Sequence, residues 1–274
     1  MLKLLFKLAA AAFFAAAFLI PLLEKDPKIE SSVRADNRVS KRLPTVGVKP
    51  NFAAITNVNE RKLTFFGFLN SAIAIENHRV SQERLFLLSM KHQESAFRNT
   101  ASHMKRARKL AKDYHYDIPS EGMTEDWLNS MLLRVNVLPP SLVLTQAANE
   151  SAWGTSRFAT QANNFFGQWC YRKGCGLVPL RRNNDATHEV ATFGSVQDSV
   201  FAYFMNVNRN RAYRELRTIR SQLEQSGQDL QSEKAALALI QGLSHYSERG
   251  QAYVDELQAM IRHNNKYWSE FGIQ

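Results

Sequence analysis

From residue 60 to the C-terminus, apolar residues recur mainly at the three- and four-residue spacing of amphipathic helices, and that rhythm gives way to loop-and-strand chemistry in one main place, residues 163–195. Leu63, Phe66, Leu69 and Ile73, then Leu85 and Leu88, mark a helix over 60–89, and 91–114 continues as a basic amphipathic stretch. Pro119-Ser-Glu-Gly122 breaks the chain, 127–137 reads as another helix, and Pro139-Pro140-Ser141 opens a third, because proline is tolerated in a first helical turn. Residues 163–195 hold Asn-Asn, Gly and Cys, an Arg-Arg-Asn-Asn-Asp run and an alternating stretch at 187–193, the signature of loops and a small hairpin. Helical spacing returns over 195–220 and 232–271. The expected class is therefore α+β, mostly α, with one small β-hairpin lobe.

At 274 residues and 45% hydrophobic composition, the chain can bury one or two ordinary cores and carries no repeat of fixed period. Its net charge of +10 is unevenly placed. Residues 1–123 hold 20 Lys+Arg against 11 Asp+Glu, whereas 124–274 hold 15 against 14. An anionic partner such as phospholipid, wall polymer or nucleic acid would meet the front first, at the cluster Lys105, Arg106, Arg108, Lys109 and Lys112.

Lys3 and Lys7 flank the start of an apolar block at 8–23, which a polar run follows at once. Its 16 residues reach roughly 24 Å as a helix, short of the ~30 Å hydrocarbon core unless Leu4, Leu5 and Phe6 are added. The segment 1–23 is expected to be a signal anchor, or else a signal peptide cut near Ala15-Ala16-Ala17. Either places the rest outside the cytoplasm, in the periplasm or cell envelope, with the inner membrane as a partner of the N-terminal segment. Residues 24–59 read as a linker, 60–123 as a helical extension and 124–274 as the domain that carries the chemistry. Cys170 and Cys175, with no neighbouring Cys or His cluster, form either a short disulfide loop or two free thiols. His188 and His245 have no second histidine at ligand spacing, so neither a metal nor a cofactor is expected.

The stretch from Ser141 to Trp153 is apolar around most of its circumference, yet it holds Glu150. Ala147 and Val143 share the face of Glu150, with Trp153 one turn ahead. A carboxyl group in such surroundings is costly to ionise and suited to delivering a proton near neutral pH. Contact with water at the helix end, or capping of a neighbouring backbone, is the plainer reading of the same pattern.

The string Leu144-Thr-Gln-Ala-Ala-Asn-Glu150-Ser-Ala-Trp153-Gly154, followed by Asn163-Asn164-Phe165-Phe166-Gly167, closely resembles two spaced motifs of the bacterial glucosaminidase family of peptidoglycan hydrolases. Residues 191–199 and 246–257 are similar to that family's later segments, and the resemblance spans roughly 124–268. It implies a lysozyme-like helical domain, preceded here by the helical extension, and an endo-β-N-acetylglucosaminidase that cuts the β-1,4 bond after N-acetylglucosamine in peptidoglycan glycan strands. Glu150 matches the general acid. A second carboxylate, carried by the family in its β hairpin, falls on Glu189, with Asp185 as competitor. Tyr246 matches a tyrosine near the acid, and Trp153, Asn164, Phe166 and above all Trp169 are candidate sugar contacts. Gln93-Glu94-Ser-Ala-Phe97 copies part of the first motif but lacks the following glycine and loop, so Glu94 reads as an ordinary charged residue.

Two other functions compete. Amidase-type cleavage between muramic acid and the stem peptide is one, although the sequence offers neither a zinc constellation nor a Cys/His or Ser/His nucleophile pattern for it. A non-catalytic wall-binding module is the other. Nucleic-acid binding fits the basic cluster electrostatically but not an exported chain, so no nucleic-acid partner is expected.

Overall fold

The computed structural model describes residues 46–180 and 188–273. The expected signal anchor at 1–23, most of the expected linker and Asp185 lie outside the described residues. Pro44–Gln274 forms one compact unit. Its helices are α1 (Val58–Lys91), α2 (Ser95–Arg98), α3 (Ala101–Asp113), α4 (Glu125–Arg134), α5 (Pro140–Ser151), α6 (Arg157–Ala162), α7 (Val196–Arg209), α8 (Arg214–Gln225), α9 (Glu233–Leu239) and α10 (Gln251–Trp268). Strands β1 (Trp169–Cys170), β2 (Gly176–Leu177) and β3 (Glu189–Ala191) make a small antiparallel sheet in the order β1-β3-β2. The fold is thus α+β and dominated by helices, of the lysozyme-like kind. No described helix is long and apolar enough to cross a membrane.

Side-chain caps set many of the helix starts. Asn57, Thr124, Ser156, Ser195 and Ser232 each accept a hydrogen bond from a backbone N–H in the first turn of the helix that follows. Helix α5 starts differently, on Pro140 at its first position. It is the central element: Leu142, Val143, Leu144, Ala147 and Ala148 are buried, and α1, α9 and α10 pack around it. An all-round apolar helix has to be enclosed in this way.

Helix α1 spans 34 residues, about 50 Å, and packs on α4, α5 and α7. Residues read as extension and as catalytic domain therefore share one core rather than forming separate bodies. The tail of the expected linker belongs to it too. Phe52 is buried edge-on against Phe65, Phe68 and Phe165, and Lys49 Nζ donates to the carbonyls of Ala159 and Thr160 and to Asn163 Oδ1. Glu94 is exposed just before the short helix α2, as an ordinary charged residue would be.

Candidate active site

Helix α5 stops one residue after Glu150, sooner than its apolar pattern suggests. Ala152, Trp153 and Gly154 have φ of 48°, 58° and 76°, three successive left-handed residues. Ser151 closes this turn: its Oγ donates to the Ala147 carbonyl at 2.6 Å and accepts from Gly154 N–H at 2.9 Å. Gly154 suits both its φ and its neighbour, since a Cβ there would stand 2.4 Å from the Phe52 ring. Trp153 is thereby turned off the helix axis onto α1, edge-on to Phe65 and Phe66 with Lys62 Nζ over its ring. The Glu-Ser-x-Trp-Gly string is thus a helix terminator that leaves Glu150 at the last turn.

The second motif folds over that end. Asn163 caps α6 in the left-handed region, and Asn164 Nδ2 donates to the Gln168 and Ala191 carbonyls while its Oδ1 accepts from Phe166 and Gln168 N–H. Asn164 is 1% exposed, so its amide orients the loop. Phe166, also 1% exposed, stacks on Tyr203 at 4.2 Å and presents no free face to a sugar. Gly167, at φ 64°, brings the loop to the acid: a Cβ on it would lie 3.5 Å from Glu150 Oε2. Tyr246 donates its hydroxyl to the Phe166 carbonyl at 2.8 Å, so it holds this loop.

Tyr253 of α10 supplies the direct partner of the acid. Its hydroxyl donates to Glu150 Oε1 at 2.8 Å and accepts from Gln146 Nε2 at 2.9 Å; Gln146 Oε1 in turn accepts from Tyr203. Tyr246 and Tyr253 stack in parallel with centroids 5.7 Å apart. Burial, reinforced by the Glu150 charge, pushes the Tyr253 hydroxyl well above the ordinary tyrosine range, so it remains a donor. Burial also raises the Glu150 carboxyl above its usual value, opposed by the hydrogen bonds from Tyr253 and Asn149 and by Arg249 nearby. Arg249 is itself paired with Glu256, and no ion pair joins Glu150 to a cation among the described residues. With Oε1 accepting from Tyr253, Oε2 is the oxygen left facing Gly167. Tyr253→Phe removes a bond that favours the carboxylate, so the alkaline limb of the pH–activity profile should move to higher pH, with maximal rate reduced about tenfold. An unmoved limb in a pH titration of initial rates would contradict this placement.

The sheet lobe carries the remaining candidates. Cys170 and Cys175 are joined by a disulfide. Glu189 pairs with Cys170 in the β1–β3 register and is 6% exposed. Its Oε1 accepts from Gly174 N–H at 3.0 Å and its Oε2 from Gly176 N–H at 2.9 Å, so the carboxylate clasps the disulfide loop from inside. Cys170, Cys175 and Glu189 gather within 4.8 Å of one another, but with both sulfurs joined they are not a metal-ligand set. Trp169, 53% exposed, stacks on His188 at 4.0 Å and 11°. It lies two residues beyond Gly167, hence within roughly 7 Å along the chain of the glycine beside the acid.

The structure therefore brings together Glu150, Tyr246 and the 163–167 loop, and leaves Trp169 on the exposed lobe that follows. Trp153, partly buried, packs against α1, and Phe166 stacks on Tyr203. Sequence reasoning missed Tyr253 and Gly167 as neighbours of the acid. Both stand in the quoted segments, but only the fold shows that they reach Glu150.

Residues 126–266 match the family described as mannosyl-glycoprotein endo-β-N-acetylglucosaminidase, the glucosaminidase family. The chain is 31% identical over 217 residues to Protein bax of Escherichia coli (strain K12), covering 79% of this chain and 74% of that protein. No solved structure matches it. A family match over half of the chain, on a helical fold whose two motifs converge on one carboxyl group, identifies the chain as a member of the glucosaminidase family of glycoside hydrolases.

Proposed function

We propose that this protein is an exported peptidoglycan hydrolase that cuts the β-1,4 bond after N-acetylglucosamine, with Glu150 as general acid. The observation that supports this reading is the half-buried Glu150 carboxyl, protonated more readily than an ordinary glutamate, with one oxygen taken by Tyr253 and the other beside the Gly167 loop. Glu150 Oε2–H gives its proton to the glycosidic oxygen as the C–O bond breaks, and positive charge builds at the departing anomeric centre. Tyr246 holds the loop at its working distance, and Trp169 offers a ring on which a pyranose can rest. The site of action is the cell envelope, reached through the apolar block at 8–23.

Opposite-face support for the cation is assigned to Glu189 or to the substrate's own acetamido group, and the clasp made by Glu189 separates the two. A nucleophile or base needs a lone pair of the carboxylate turned toward the anomeric centre, whereas a clasp needs only the two N–H bonds it already makes. Digestion of purified peptidoglycan, with the new ends identified by mass spectrometry, tests the whole reading: N-acetylglucosamine reducing ends are expected, and free stem peptides without new reducing ends would mean amidase chemistry instead. In the same assay, Glu189→Gln retains one acceptor for the loop. A loss of ~10²-fold or more with an unchanged melting temperature would favour direct participation, and a small loss with a lowered melting temperature would favour the clasp.

A further inference from the structure

Helix α3 carries a charge pattern that the glycosidase reading does not use. Its buried face is Ala107, Leu110 and Ala111, and its outer face holds Lys105, Arg106, Arg108, Lys109 and Lys112. Two of these cations are occupied. Arg106 lies over the Phe86 ring and donates to the Gln82 carbonyl, and Lys109 pairs with Asp113 at 2.6 Å. Lys105, Arg108 and Lys112 have no ion-pair or hydrogen-bond partner among the described residues. They stand at i, i+3 and i+7, one stripe along the solvent side of the helix, about 10 Å long. Beside the stripe runs a groove of about 890 Å³. Met104, Ala111 and Ile118 give it apolar lining, Arg108 and Lys112 stand on its cationic side, and Asp117 is the acid in it.

We infer that this face of α3 is a docking surface for an anionic phospholipid bilayer. Arg108 and Lys112 would take headgroup phosphates, Lys105 would extend the contact along the leaflet, and the apolar lining would receive the glycerol and upper acyl region. Three cations held on one rigid face, with none neutralised from within the fold, match a sheet of negative headgroups. The adjoining groove is mixed, and its apolar members Met104, Ile118 and Pro119 beside the cations favour a bilayer over a soluble polyanion, because a nucleic acid or a charged glycan rewards the cations but not those side chains. The surface lies outside the residues assigned to glycan cleavage, so docking and cutting are separable.

The test compares the full-length wild-type chain with Lys105→Gln/Arg108→Gln/Lys112→Gln in sedimentation with phosphatidylcholine vesicles and with vesicles that also contain phosphatidylglycerol. The apolar block at 8–23 is common to both proteins and cancels in the ratio. On neutral vesicles the two should partition alike. On anionic vesicles the triple variant should partition on the order of 100-fold more weakly, and the wild-type advantage should shrink at high salt. Met104→Ser should weaken anionic partitioning further than charge alone explains, while hydrolysis of soluble glycan fragments by every variant stays at the wild-type level. Equal partitioning of wild type and triple variant on anionic vesicles overturns the inference. So does a triple variant that loses binding to isolated peptidoglycan or to polyphosphate but keeps its vesicle binding, which would give the stripe to a wall polymer or another polyanion.

Discussion

Glu150→Gln should lower the release of new reducing ends from peptidoglycan by roughly 10²–10⁴-fold while leaving the fold intact. The amide matches the carboxyl group in size, and its oxygen can still accept from the Tyr253 hydroxyl, so the contact at 2.8 Å survives. What disappears is the transferable proton on the oxygen beside Gly167. The same substitution should change stability in a pH-dependent way. Burial raises the Glu150 carboxyl in the folded state, so folding is favoured most where the group is protonated in both states, below its unfolded value of about 4.3. Between that value and the raised folded one, the unfolded chain ionises first and the native state loses ground. Each unit between the two costs ~1.4 kcal/mol by neutral pH. Glu150→Gln removes this penalty, so its melting temperature should exceed the wild type's at pH 7 and approach it near pH 4, as read by circular dichroism. A variant that still releases reducing ends at the wild-type rate would remove Glu150 from the chemistry. Equal melting temperatures at pH 7 would mean that the carboxyl group ionises there at no cost.

What could be read in the sequence was local. The all-round apolar pattern from Leu142 to Ala148 is a direct consequence of enclosure by α1, α9 and α10, and Glu150 stands out against it because a lone carboxyl group on such a helix is conspicuous. Asn164 and Gly167 were legible as a loop because their residue types serve turns. The orientation of Trp153 was not, since extending the helix one more turn puts it ahead of Glu150, whereas three left-handed residues from 152 to 154 aim it at Phe65 and Phe66. Phe52 illustrates the same limit. One isolated aromatic residue in a short irregular stretch has no periodicity to betray that it packs over Gly154, 102 residues further along. Tyr253 reaches Glu150 across a sequence separation of 103, and nothing in either local pattern states that pairing. Strand β3 pairs antiparallel with its chain neighbour β2, as the hairpin reading expects, and what the local pattern does not state is its second partner β1 on the other edge.

Arg220→Met should destabilise the fold by ~3–5 kcal/mol, lowering the melting temperature by roughly 6–20 °C. Its guanidinium is buried, makes no ion pair among the described residues, and has both terminal nitrogens hydrogen-bonded. Nη1 donates to the Asn136 and Val137 carbonyls and to Asn208 Oδ1, and Nη2 donates to the Leu133 and Arg134 carbonyls, at 2.7–3.2 Å. Leu133 and Arg134 end α4, so the cation meets the negative end of that helix and satisfies carbonyls that no further turn can reach. Burial pushes its pKa down to about 9, which still leaves it charged at neutral pH. Asn77 grips the next residues through both of its amide atoms, bonded to Leu138 N–H and the Leu138 carbonyl, and Asn208 Nδ2 donates to the Asn136 carbonyl. Together these side chains fix the five-residue connection, 135–139, that launches α5 toward Glu150. Methionine fills the volume but strands the carbonyls, whereas Arg220→Lys keeps the charge with fewer donors and should lose an intermediate amount. Because Tyr253 and the Gly167 loop meet α5 at its other end, the folded fraction of either variant should retain the wild-type kcat at low temperature. A melting temperature for Arg220→Met within a degree or so of the wild type's would mean that water replaces the guanidinium at little cost.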